Sequence, residues 1–323
     1  MADDLGRRTE RLAALLRGRL VAAPATPMDA TRHVDPAALE KYATGLAAAA
    51  DGVCVWAHTG RGLALPAADR ALVLDTFRAA VTGPVLAGVG PAGAADAPFP
   101  AQLDATVRMA EAAAAGGADG LMVYPASGLR PAETRATRTV RLHEAVVAAT
   151  GLPVLGFLLY PEAGGVRYDP DLLRELVAVP GVVGVKLATL YQAVDCQDAV
   201  DAIHAAGGLA VTGEDRMFGP SLTWGADAAL VGVAAAAPAL SRSLVRAWFD
   251  GDAARFLAAS TVMDRFAARI FRAPMDGYVQ RMLWVAEREG LIDAAAAHDP
   301  YGRTLGAAER ADARAAYDAA VAL

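Results

Sequence analysis

Apolar residues along this chain gather into eight short runs separated by longer stretches of helical character. The runs cover residues 20–25, 52–57, 84–89, 120–124, 153–160, 182–187, 209–212 and 228–233. Each is nearly continuous rather than alternating, and rich in Val and Leu. That is the pattern of parallel strands covered on both faces, where no position meets water. Between them, residues 36–50, 67–80, 101–115 and 134–150 read as helices long enough for right-handed crossovers. Eight βα units at spacings of roughly 20–35 residues predict an α/β protein, a (β/α)8 TIM barrel. An open doubly wound sheet fits less well, because no G-x-G-x-x-G follows the first strand.

Internal echoes support repeated units. Ala50-Asp51-Gly52 and Ala118-Asp119-Gly120 each leave a helix and enter a strand, with Gly225-Ala226-Asp227 as a variant. Gly83-Pro84-Val85-Leu86 and Leu152-Pro153-Val154-Leu155 are paired strand entries, where proline is tolerated at the first residue. Residues 91–100, rich in Pro, Ala and Gly, read as a surface loop after the third strand. Past Pro238 the strand pattern stops, and 240–249, 253–272, 278–289 and 307–320 read as helices. The pattern therefore divides the chain into an N-terminal helix (1–18), a barrel (19–237) and a C-terminal helical extension (238–323). The opening helix, about 5–19, is amphipathic and suited to closing the barrel bottom. In the tail, Met275, Tyr278, Met282 and Trp284 fall at helical intervals and read as core or subunit contact.

Composition narrows the class. Hydrophobic residues make up 55% and charged residues 20%, so the chain has ample apolar surface to offset the entropy of ordering. The net charge of −6, without blocks of like charge, argues against nucleic acid or an anionic membrane as partner. No window reaches the roughly 18 uninterrupted apolar residues of a spanning helix. Acids and arginines stand at the N-terminus where a signal peptide needs an apolar segment, so a cytoplasmic setting is expected. Cys54 and Cys196 alone imply no disulfide framework. No clustered His and carboxylate ligands mark a metal site, and no phosphate-binding loop or G-x-S-x-G elbow occurs; neither metal nor cofactor is expected.

Lysine is almost absent: only Lys41 and Lys186 occur, and 28 of the 30 basic residues are arginine. Lys41 lies in a helix beside Glu40, an ordinary solvated place. Lys186 sits in the middle of the sixth apolar run, Val182-Val183-Gly184-Val185-Lys186-Leu187-Ala188. A buried ammonium without a partner costs several kcal/mol, and the usual response is a lowered pKa. Arginine stays protonated, whereas a desolvated lysine attacks a carbonyl carbon and forms a Schiff base. Two readings stand on these residues alone: a covalent imine catalyst, or a lysine paired with a carboxylate or reaching to the rim.

The ordered motifs around that lysine resemble the dihydrodipicolinate synthase/N-acetylneuraminate lyase superfamily of class I aldolases. They are Thr26-Pro27, Thr59-Gly60, Ala87-Gly88-Val89-Gly90, Gly117-Ala118-Asp119-Gly120 and Leu152-Pro153-Val154. Gly184-Val185-Lys186-x-Ala188-Thr189, Gly213-x-Asp215 and Gly225-Ala226-Asp227 complete the series. The resemblance implies a Schiff-base lysine at Lys186 acting on pyruvate or another 2-oxo acid, in a homo-oligomer, dimer or tetramer. It also implies that Thr59 and Gly60 hold the substrate carboxylate, with Arg61 as an added contact or a structural ion pair. Ser127, Phe157, Gly213 and Asp215 fall at positions lining the substrate.

Departures from the family pattern are specific. Ala57-His58-Thr59-Gly60-Arg61 replaces Gly-Thr-Thr-Gly-Glu, putting His58 where a relay threonine stands. An imidazole titrating near neutrality would move the protons of carbinolamine dehydration. Phe157 occupies the place of the strand-5 tyrosine, and Ser127 that of the tyrosine after strand 4. Tyr160 follows Phe157 by three residues. It serves as a phenol donor if the strand has ended or bulged there, and otherwise packs. Glu214 and Asp215 suit either substrate hydroxyls or a helix cap. The arginine that binds the aldehyde carboxylate in the family's synthases has no clear match before Arg167, and sialic acid lyases carry threonine where Ala188 stands. The expected activity is thus a Schiff-base lyase, aldolase or dehydratase, using Lys186, Tyr160 and His58. The alternatives are 4-hydroxy-tetrahydrodipicolinate synthesis and a non-catalytic barrel that binds a small acid.

Overall fold

In the computed structural model, which describes residues 2–322, the eight apolar runs form parallel strands closed in sequence order into a barrel. They are β1 (Leu20–Ala22), β2 (Gly52–Val55), β3 (Val85–Val89), β4 (Gly120–Val123), β5 (Val154–Leu159), β6 (Val182–Ala188), β7 (Leu209–Thr212) and β8 (Ala228–Val231). Closure comes from β8 against β1, with Leu20 opposite Ala229 and Ala22 opposite Val231. Every strand residue is buried, which explains the continuous runs: outward positions meet helices and inward ones meet each other.

Helices α1 (Ala2–Leu16), α2 (Pro36–Ala47), α3 (Ala67–Ala80), α4 (Phe99–Ala115), α5 (Ala132–Thr150), α6 (Pro170–Val177) and α7 (Ala193–Ala205) precede or join the strands. A six-residue helix, α8 (Phe218–Thr223), is all that lies between β7 and β8. Then come α9 (Pro238–Phe249), α10 (Ala253–Ile270), α11 (Tyr278–Glu289) and α12 (Ala307–Val321). The eighth helical place beside the sheet is filled by α9, which packs on β1, so part of the apparent tail completes the barrel wall. At the opposite end Leu12 and Leu16 of α1 join Val21, Cys54 and Leu86 in the interior and close the barrel bottom. That helix stops before Gly18, whose φ of +71° turns the chain into β1. No helix among the described residues is long and apolar enough to cross a membrane.

The strand ends that carry chemistry are covered by the C-terminal helices rather than by loops alone. Arg281 on α11 has no exposed surface, and its guanidinium bonds the carbonyls of Ile270 and Arg272 at 3.0 and 2.9 Å. It also bonds Glu309 of α12 at 2.9 Å. One buried cation thereby fixes the α10–α11 connection over the barrel mouth. A second tie joins Arg61, after β2, to Asp299 through two bonds of 3.1 and 2.6 Å. Removing one partner of such a network leaves buried carbonyls unpaired. Arg281→Met is expected to lower unfolding free energy by at least about 2 kcal/mol in urea titrations. A change under about 0.5 kcal/mol, the size of ordinary surface substitutions, would show that this cation does not organise the connection.

Candidate active site

Lys186 projects inside the barrel near the C-terminal end of β6, opposite Phe157 on β5 and Val211 on β7. It is only 6% exposed, and its Nζ stands 4.4 Å from the centre of the Phe157 ring. The edge of that ring meets Tyr124 at 5.6 Å between centres. Among the described residues no carboxylate comes within the 4.0 Å that defines an ion pair with Lys186. Burial, the largest influence, lowers the lysine pKa against smaller opposing effects from Cys54, Asp215 and Glu214. Gly213 makes room for the lysine chain: a Cβ there would fall 2.4 Å from Lys186 Cε.

The amine faces a cavity of about 30 Å³ lined by His58, Thr59, Tyr160, Asp215, Phe271 and Tyr278, with Phe157 and Gly213 beside the lysine. A single water needs roughly 10–15 Å³, so the free space beside the amine is about that of two waters. Tyr160 reaches it because β5 ends at Leu159; the residue takes φ −61° and ψ 148° and opens a short turn at Pro161. Burial raises its phenol pKa, with Asp215 the next contributor. Thr59 is 4% exposed and sits in a 3-10 turn, His58–Gly60, immediately beyond β2.

His58 lines the cavity but does not titrate near neutrality as the sequence suggests. Burial first, then the Arg61 and Lys186 charges, lower its pKa to about 3, so the ring stays neutral. Its Nδ1 lies 2.6 Å from the hydroxyl of Tyr278, at the start of α11. Burial holds Tyr278 well above the usual phenol range. A protonated phenol beside a neutral imidazole donates to Nδ1, leaving the ring proton on Nε2. Phe271 stacks on the same phenol ring at 5.0 Å. Tyr278 is a cavity residue that the sequence pattern reads as core or subunit contact; helical spacing alone does not show which of four positions faces the barrel mouth.

Several expected contacts are not made. Arg61 does not line the cavity: its guanidinium is engaged by Asp299 and by the Asp276 carbonyl at 3.1 Å. The base replacing the family's acid thus docks the tail instead of meeting substrate. Ser127 also lies outside, donating to the Ala95 carbonyl and accepting from Gln102, each at 2.6 Å. The Gly60 amide is engaged by the Ala57 carbonyl at 2.9 Å, and its carbonyl accepts from Thr26 at 2.8 Å, so Gly60 shapes the turn. Glu214, by contrast, borders the cavity and caps no helix; its oxygens accept from the amides of Thr189 and Leu190 at 2.5 and 2.9 Å. That anchors the chain where Leu190 adopts φ +64° after β6.

An eight-stranded parallel barrel with a desolvated, unpaired lysine at the end of β6 has the architecture of a Schiff-base aldolase. The chain belongs to the dihydrodipicolinate synthetase family, whose model matches residues 16–317. Family members are class I aldolase-type lyases, and this chain is one of that class. It is 32% identical over 241 residues to 4-hydroxy-tetrahydrodipicolinate synthase of Mycobacterium leprae, covering 73% of this chain and 74% of that protein. Its fold is similar to YagE, a dihydrodipicolinic acid synthase family protein of E. coli K12 crystallised with pyruvate. The TM-score is 0.80 at 20% identity, covering 94% and 98% of the two chains. It is also similar to the Ruminococcus gnavus sialic acid aldolase, with a TM-score of 0.77 at 18% identity, covering 94% and 98%.

Asp215 provides a test of this electrostatic setting. Burial raises its pKa to about 7, against the lowering effects of the Val233 amide and Lys186. An acid whose folded pKa lies above its unfolded value of 3.8 binds more protons when folded. Its contribution to stability is therefore greatest below pH 3.8 and is lost as pH rises through about 7. Asp215→Asn retains an acceptor for Val233 but removes that titration. The Tm difference, variant minus parent, is expected to grow from pH 4 to pH 7.5 in thermal scans. A difference that stays flat or shrinks over that range would contradict the raised pKa.

Proposed function

We propose that the protein is a Schiff-base lyase, of aldolase or dehydratase type, acting on pyruvate or another small 2-oxo acid through Lys186. The observation that carries the reading is a primary amine inside the barrel with no ionic partner among the described residues, facing a small cavity. Neutral Nζ attacks the C2 ketone to give a carbinolamine, and loss of water leaves a protonated imine. That cation withdraws electrons from C3, so a bond at C3 can be made or broken beside it. The Phe157 ring beneath the nitrogen favours a cation there, adding to the iminium's stability over the neutral amine. The Thr59 hydroxyl donates to the substrate carboxylate, while Tyr160 and Asp215 border the space where the rest of the substrate extends.

A second reading, 4-hydroxy-tetrahydrodipicolinate synthesis, is favoured by the names of relatives at about a third identity. Against it, no arginine among the described residues lines the cavity, and Arg167 is exposed and paired with Asp195 at 2.9 Å. Such a synthase condenses pyruvate with an aldehyde that carries its own carboxylate, and a cation for that group is missing here. Consumption of aspartate semialdehyde with pyruvate would favour this second reading over the first. The working form on either reading is a cytoplasmic homo-oligomer, dimer or tetramer. Exposed apolar side chains at Tyr191, Val194 and Leu257 support association.

Borohydride trapping tests the proposal. Pyruvate and borohydride together are expected to add one reduced pyruvate to the peptide containing Lys186, and Lys186→Met to abolish the adduct while keeping the parent Tm within a few degrees. An unmodified Lys186 peptide across a panel of 2-oxo acids would contradict the mechanism. Ligand-induced stabilisation without an adduct would point instead to a barrel that binds an acid without turnover.

A further inference from the structure

Phe157 has no hydroxyl, yet imine formation needs an acid to expel water and a base to activate C3. Of the remaining groups, Glu214 is engaged by two backbone amides and Arg61 by Asp299. Tyr160 lines the same cavity, is partly exposed, and its hydroxyl has no hydrogen-bond partner among the described residues. Tyr278 is different. It is 4% exposed, lies against Phe271, and its oxygen stands 2.6 Å from His58 Nδ1. His58 belongs to the turn after β2, and it and Tyr278 both line the cavity that Lys186 faces. We propose that Tyr278, delivered by the C-terminal helical region, is the proton-transfer phenol of this site.

This inference rests on the Lys186 imine reading and assigns its proton steps. The Nζ lone pair bonds C2, and one of the two amine protons passes to the former carbonyl oxygen. Tyr278 turns its proton from His58 Nδ1 to that hydroxyl, the C2–O bond breaks, and water leaves. The products are an iminium with one N–H and a phenolate, so charge balances. The phenolate then takes a proton from C3, and the C–H electrons form the C2–C3 double bond of a neutral enamine. Tyr278 is protonated again. At rest His58, held as the Nε2–H tautomer, positions the phenol through Nδ1.

The enamine step gives a readout that needs no knowledge of the second substrate. In D2O the phenol proton exchanges with solvent, so each cycle of enamine formation and reprotonation puts deuterium on the pyruvate methyl group, which 1H NMR follows. Tyr278→Phe keeps the ring against Phe271 and removes the hydroxyl alone. It is expected to slow both methyl exchange and the onset of borohydride-trappable adduct at least about 100-fold, the usual scale of general acid–base catalysis. Adduct reached after long incubation is expected to equal that of the parent protein, with Tm within a few degrees, because the amine is untouched.

A merely structural tyrosine would lower Tm and final adduct together. That result, or Tyr278→Phe exchanging within about threefold of the parent, overturns the proposal. So does a larger loss in Tyr160→Phe than in Tyr278→Phe. If the parent protein itself forms no Lys186 adduct, the imine reading fails first, and the two failures are thereby distinguished.

Discussion

Keeping an amine dry and unpaired inside a barrel is the constraint on which the rest of the structure depends. An ammonium there is largely withdrawn from solvent and, among the described residues, lacks a carboxylate within ion-pair distance, so burial favours the neutral form that can act as a nucleophile. Neighbouring acids are handled so that they do not capture it. Glu214 faces two backbone amides, and Asp215 accepts from the Val233 amide at 2.6 Å while burial holds its pKa high. An aromatic ring at 4.4 Å replaces the missing counter-ion with a weak attraction for positive charge. The balance leaves the nitrogen neutral at rest and able to carry charge once an imine forms.

Dryness also requires a cover, and the chain supplies it from its C-terminal region. Arg281 gathers the carbonyls of the α10–α11 connection, and Arg61 joins the β2 turn to Asp299. Between these ties Phe271 and Tyr278 are pressed onto the barrel mouth. The two substitutions after β2 that depart from the family pattern therefore have one structural meaning. His58 receives the Tyr278 hydroxyl and Arg61 holds the tail that bears it. The lost phenol at Phe157 and the new contacts after β2 become parts of the same arrangement.

Much of the fold was legible because burial on both strand faces writes continuous apolar runs. Helices 278–289 and 307–320 were equally clear, from amphipathic periodicity. The boundary at 238 was less so, since α9 fills a barrel place although it follows the last strand. Lys186 was legible through its rarity and its apolar surroundings. The roles of Arg61 and Ser127 were not: both depend on partners distant in sequence, Asp299 in one case and Ala95 with Gln102 in the other. Spacing states which residues lie at strand ends, and only the tertiary ties state which of them face inward.

Because Lys41 and Lys186 are the only lysines, the central claim can be measured at a single atom. Lys41 is exposed and bonded to Asp293 at 2.8 Å, so Lys41→Arg keeps that pairing and leaves one lysine in the protein. With 13C at the ε carbon, its chemical shift against pH reports protonation of the Lys186 nitrogen directly. A midpoint well below the roughly 10.4 of a free lysine side chain is the predicted result. A midpoint at or above that value would mean a stably charged nitrogen, and the nucleophilic account of this barrel would not stand.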